Sequence, residues 1–273
     1  MAYVVGCYFL ASRYVRPGTQ NAGPPPEGFA QSVGYNSWVS DSLQSGKPVF
    51  VLVHGYGGSQ YGWKDVAGAL RKKGYGVVIP ALPGHDNRTE ETSGFGIKES
   101  QIILDGAKWI REKTGDDTKI VLVGISMGGA ACWLAAERDP KIHAVASEGS
   151  FARLEPATKS WFDRKAPGAS TYLAPVIWFA KRMSGVDPSM VNPVEAAAKW
   201  KGKRSLVIHG DIDELFPLAN GEELAKAAGC ELWTVKGAPH AHCSDINLEK
   251  YVDRLVRLAV STDETEGHSK DLP

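Results

Sequence analysis

The chain has 273 residues, 43% of them hydrophobic and 23% charged, which suits one soluble globular domain of the larger single-core kind. Lys and Arg number 31 and Asp and Glu number 31, so no basic excess exists to hold phosphate backbones or an anionic membrane by charge alone, and nucleic acid is not an expected partner. The four cysteines, Cys7, Cys132, Cys230 and Cys243, form neither CxxC pairs nor the Cys/His spacing of a zinc site and are too sparse for a disulfide framework, so they read as free thiols and no metal is expected.

Residues 1–10 are apolar and precede Arg13 and Arg16. They lack a basic start and fall short of the roughly 20 apolar residues that span a bilayer. The segment reads as an ordered N-terminal strand, with a membrane-proximal segment and a lipidated Cys7 as alternatives. Four prolines and three glycines in residues 17–28 then predict a linker, so residues 1–28 form an N-terminal segment apart from a main body at 29–262.

Short β-branched runs alternate with helical patterns from there on. Val49–Val53 reads as a buried strand, 61–73 as a helix, Val77–Pro80 as a strand, Glu99–Lys113 as an amphipathic helix and Ile120–Val123 as a core strand. Helix 129–138, strands Ala144–Ser147 and Ser205–Ile208, helix 220–228, strand Glu231–Val235 and a helix near 248–260 complete the series. That order predicts a mostly parallel sheet with helices on both faces. Residues 150–203 break the rhythm with Trp161, Phe162, Tyr172, Trp178, Phe179 and Met183, which predicts a small helical cap. Residues 263–273 are polar and read as a disordered tail.

Gly124-Ile125-Ser126-Met127-Gly128-Gly129 follows a predicted strand directly and opens a predicted helix. A serine hydroxyl is a poor nucleophile until a base takes its proton. A sharp strand-to-helix turn presents it to that base, and the helix N-terminus behind it favours developing negative charge. Ser126 is therefore the candidate nucleophile, and the Met127 amide a candidate oxyanion donor. His54-Gly55-Tyr56-Gly57-Gly58, after the first core strand, supplies the Tyr56 amide as a second donor. Pro83-Gly84-His85-Asp86 reads simply as a turn. An acid and a histidine must follow, and two strand-end loops hold them: His209-Gly210-Asp211-Ile212-Asp213-Glu214, and Gly237-Ala238-Pro239-His240-Ala241-His242.

Taken in order, HGYGG, GISMGG, HGDIDELFP and GAPH resemble the four blocks of α/β-hydrolase serine esterases, over roughly residues 48 to 260. The resemblance implies an α/β-hydrolase fold and a carboxylesterase-like activity without a cofactor. Its HGxxD pattern falls on Asp213 and its GxxH pattern on His240, which implies a Ser126-His240-Asp213 triad. Asp211 and His242, two residues away, stay open as alternatives.

The expected substrate is a small-molecule carboxylic ester of short to medium acyl length, with Trp161, Trp178 and Phe179 as candidate contacts from the cap. Thioester or peptide hydrolysis on the same site is the nearest alternative, with Asp163, Asp187 and Glu195 as candidates to capture a free amino terminus. A non-catalytic binding protein on the same fold is the alternative from another class. The location expected is cytoplasmic, or membrane-associated or exported if the N-terminal segment belongs to an anchor or signal; membrane contact would run through that segment. The sequence leaves the oligomeric state open.

Overall fold

The structure is a computed structural model, and it describes residues 1–18 and 23–260. The expected polar tail lies outside the described residues.

Three strands carry side chains that are apolar on both faces: β3 (Val49–Val53), β4 (Gly76–Pro80) and β5 (Ile120–Ile125). Every residue of β3 and β4 is buried, as a strand covered by helices on both sides requires. With β1 (Phe29–Gln31), β2 (Ser37–Ser40), β6 (Ala144–Glu148), β7 (Ser205–Gly210) and β8 (Glu231–Val235) they form one sheet of order β1-β2-β4-β3-β5-β6-β7-β8. Strands β3 to β8 run parallel, and β1 and β2 add an antiparallel edge. This edge escapes the sequence pattern because both strands are short and lie among turn residues.

Helices fill both faces. On one side, α3 (Ile97–Thr114), α4 (Met127–Arg138), α7 (Pro193–Lys199) and α8 (Ala219–Ala228) build a core that includes Ile103, Ile110, Trp133, Trp200 and Leu224. On the other, α2 (Lys64–Lys72) and α10 (Leu248–Val260) bring Val66, Leu70, Tyr251 and Leu255 against Phe50, Ile79 and Val121. Helix α4 has nine buried residues out of twelve, and six of the nine are alanine or glycine, which lets it lie close in this crowded layer.

The expected cap is present as α5 (Leu154–Lys165) and α6 (Ala174–Ser184). It ends earlier than residue 203, because Val194, Ala196, Ala197 and Trp200 of the α7 region belong to the main core.

The N-terminal segment corrects the expectation of a strand: residues Ala2–Val15 form a helix, α1. Its buried residues, Cys7, Ala11 and Val15, recur every four positions and make one stripe, which packs in a cluster with Leu173, Val176 and Ala180 of the cap. Tyr3, Val4, Val5, Phe9 and Leu10 stay exposed. Among the described residues, no helix is long and apolar enough to cross a membrane. The four cysteines are free thiols.

Candidate active site

Ser126 is the single residue between β5 and α4, and it takes φ 55° and ψ −118°. A positive φ is costly for a side chain with a Cβ, by about 1–3 kcal/mol, so the neighbours must enforce it. They do so by close packing. A Cβ on Gly124 would come within 2.3 Å of the Gly128 backbone, and one on Gly128 within 2.2 Å of the Val53 carbonyl oxygen. Two glycines thus let strand, serine and helix fold onto the end of β3, leaving the Ser126 hydroxyl on a cavity wall.

The loops after β7 and β8 bring Asp213 and His240 together. His240 Nδ1 donates to Asp213 Oδ2 at 2.8 Å, while Asp213 Oδ1 accepts from the amides of Leu215 and Phe216, both at 2.8 Å. Burial pushes the Asp213 pKa upward, but the bond and charge of His240, the Phe216 amide and the nearby His209 outweigh it, so the carboxyl is held below its usual value. The alternatives point elsewhere. Asp211 accepts from the Gly237 amide at 2.6 Å and is exposed, and His242 pairs with Asp245 at 2.6 Å on the surface.

The end of β6 joins the elbow to this pair. Glu148 O accepts from the Ser126 amide at 2.7 Å. The next residue, Gly149 with φ 52°, lies so close that a Cβ would stand 3.3 Å from Asp213 Oδ2 and 3.4 Å from His240 Nδ1. The Glu148 carboxyl turns into the core, accepting from the Cys243 amide at 2.9 Å and the Tyr251 hydroxyl at 2.8 Å. Burial raises its pKa, against the opposing effect of these two bonds. Sequence reasoning stops the strand at Ser147; the signal available was a lone carboxylate ending an apolar run.

The loop after β3 carries Tyr56, and a network fixes it that sequence reasoning takes for a turn. His54 Nε2 donates to Asp86 Oδ2 at 2.9 Å, and Asp86 Oδ1 accepts from the Gln60 amide at 2.9 Å. His85 Nε2 accepts from the Gly57 amide at 3.0 Å and its Nδ1 donates to Pro83 O at 2.9 Å, which makes His85 the Nδ1-H tautomer. Asp86 is buried and takes φ 52°, so the Pro83–Asp86 stretch is a built support for the glycine loop. A Cβ on Gly55 would stand 3.1 Å from Ser126 Cβ, so this loop lies directly against the elbow.

One cavity of about 570 Å³ unites these parts. Ser126, Met127, Tyr56 and His240 line it, together with Phe95, Phe151, Phe216 and Trp161. Phe95, at φ 51°, is set by the loop before α3, where Glu99 accepts from Gly94 N, Gly96 N and Ser93 Oγ at 2.7–2.9 Å. Of the three expected cap contacts, Trp161 reaches the cavity. Trp178 is 54% exposed with Arg182 over its ring, and Phe179 packs edge-on against Tyr8, because α6 is turned toward α1. Asp163 and Asp187 are used within the cap by Ser170 and by Ser189 and Lys181, and Glu195 is exposed on α7. None of the three lines the cavity. Among the described residues no group of three or more His, Cys, Asp or Glu side chains gathers as a metal site would.

Comparison with known proteins agrees with this architecture. The family model described as the alpha/beta hydrolase fold matches residues 48–183. A thermostable monoacylglycerol lipase of Bacillus sp. (strain H-257) is 29% identical over 100 residues, 36% of this chain and 39% of that protein. The 30 kDa subunit of a magnesium chelatase from Rhodobacter capsulatus is 28% identical over 143 residues, 51% of this chain and 49% of that one. The chain therefore spans between about two fifths and half the length of these curated relatives. An esterase of Pyrococcus furiosus shares the fold with a TM-score of 0.66 at 20% identity, covering 88% of this chain and 98% of that one.

Proposed function

Because the chain belongs to the α/β-hydrolase superfamily, whose esterases and lipases are among its relatives, we propose that it is a carboxylesterase-like serine hydrolase acting through Ser126, His240 and Asp213. The observation that carries the reading is a strained serine elbow and a bonded Asp-His pair, held on either side of Glu148-Gly149 and opening into one cavity.

In this reading His240, its Nδ1 proton held by Asp213, presents Nε2 as the base. It takes the Ser126 proton as Oγ attacks the ester carbon, and the Asp213 carboxylate stabilises the imidazolium that forms. The amides of Tyr56 and Met127 hold the oxyanion, each such donor being worth roughly 3 kcal/mol of barrier. Collapse of the tetrahedral intermediate expels the alcohol, which takes the proton from His240. Water, deprotonated by the same histidine, then attacks the acyl-enzyme and releases the acid.

Support for an apolar substrate comes from the cavity wall, where Phe95, Phe151, Phe216 and Trp161 surround a few polar groups. A cavity of about 570 Å³ suits short to medium acyl chains. Turnover of p-nitrophenyl esters from acetate to palmitate is expected to peak at or below octanoate; a peak at palmitate would sink the size assignment. Thioester cleavage uses the same chemistry and stays a second reading. Aminopeptidase action has less support, since among the described residues the one carboxylate on the cavity wall, Asp245, is paired with His242.

A further inference from the structure

We propose that Tyr14, near the C-terminal end of α1, is a specificity-determining residue that closes one end of the substrate cavity and limits the length of the apolar group bound there. The inference rests on the esterase reading of the site, and it assigns a role to a helix that lies outside residues 48–183 of the family match.

The Tyr14 ring lines the same cavity as Ser126 and His240. It stacks on Phe95 with ring centres 4.7 Å apart and an interplanar angle of 26°, and Phe95 in turn stacks on Tyr56 at 5.7 Å and 18°. Phe162 of the cap stands 6.3 Å from Tyr14 on another side. Four aromatic rings from four separate segments thus meet at this wall. A flat aromatic wall is stiff, since each ring has only two side-chain torsions to lose.

Polar bonds hold Tyr14 where the rings need it. Its hydroxyl lies 3.2 Å from Thr158 Oγ1, which also lines the cavity. Its carbonyl accepts from the Tyr56 hydroxyl at 2.9 Å. One residue on, the Val15 carbonyl accepts from the Ser93 amide at 2.9 Å. Ala11 and Val15 are wholly buried and anchor the helix beneath the cap. The end of α1 is therefore fastened at once to the glycine loop, to the segment before α3 and to the cap helix α5. A side chain fixed by three elements and facing the cavity acts as a wall, and removing it lengthens the space behind.

The test reads binding, so that it does not depend on turnover. In a Ser126→Ala background, dissociation constants are measured for two ester series: p-nitrophenyl esters lengthening in the acyl chain, and acetates lengthening in the alcohol. Adding Tyr14→Ala is expected to move the length at which affinity stops rising to longer chains in one series, by about fourfold in affinity for each methylene newly admitted. Adding Tyr14→Phe, which keeps the ring, is expected to leave the profile in place. If Tyr14→Ala fails to fold, Tyr14→Trp supplies the opposite change, a shorter cutoff. Profiles unmoved in both series by whichever of these variants folds would overturn the proposal. Failure of the esterase reading shows separately, as absence of turnover in the unaltered protein.

Discussion

Asp213 does two things with two oxygens. Oδ1 is bound by the amides of its own loop, and Oδ2 faces His240, so the carboxylate cannot rotate away without breaking bonds on both sides. Asp213→Asn is expected to lower kcat on p-nitrophenyl butyrate by about 10⁴-fold, because an amide cannot hold the same imidazole tautomer. Asp211→Asn should change kcat little, since its carboxylate serves the Gly237 amide. Equal losses in the two variants would contradict the assignment. At this scale, Ser126 is legible in the sequence because the two glycines its packing requires, Gly124 and Gly128, stand two residues either side of it and so write a short local pattern. The choice between Asp211 and Asp213 is not, because one residue faces the surface and the other the core, and a loop carries no period that reveals this. Tyr14 and Asp86 are hidden for a related cause: each acts across the fold, on residues that no local pattern links to it.

The elbow works as an element because three backbones share one small volume. Gly128→Ala would place a methyl group against the Val53 carbonyl, and Gly128 lies in the first turn of α4, a helix buried along most of its length. The substitution is expected to destabilise the protein by about 1–3 kcal/mol, seen as a lower midpoint in thermal or urea unfolding; an unchanged midpoint would show that the contact is not as tight as described. The central strands are readable from sequence because burial on both faces writes an unbroken apolar run, as in Val49-Phe50-Val51-Leu52-Val53. Helix α1 is misread for the converse reason. Its apolar residues run nearly all round, so the stripe of Cys7, Ala11 and Val15 stands out only once the cap is in place beside it. Helix α7 follows the cap in sequence but packs with α4 and α8, a tertiary choice that composition does not announce.

Over the whole molecule, the carboxyl ends of β3 to β8 deliver, in turn, the glycine loop, its His85-Asp86 support, the serine, the Glu148-Gly149 bridge, the acid and the histidine to one edge of the sheet. The supporting network ties global stability to pH. Burial, reinforced by the charge of His54, pushes the His85 pKa down from its usual 6.5 to about 4. Its folded value therefore lies below its unfolded one, and the unfolded chain binds the extra proton between the two. The contribution is fully present above pH 6.5 and is lost as pH falls toward 4, on the order of 3 kcal/mol in all. His85→Gln should flatten the fall in unfolding free energy over that range, and parallel curves for variant and parent would contradict the buried neutral imidazole.

The central claim is that Ser126 is a nucleophile activated by its surroundings. Reaction of the folded protein with a fluorophosphonate probe, followed by mass spectrometry of the labelled peptide and by ester turnover, tests it most directly. The label is expected on Ser126 alone, with turnover lost in step, and Ser126→Ala should neither take the label nor turn over ester, a loss on the order of a million-fold in kcat. Full turnover in Ser126→Ala, or an unlabelled Ser126 in an active protein, would contradict the account.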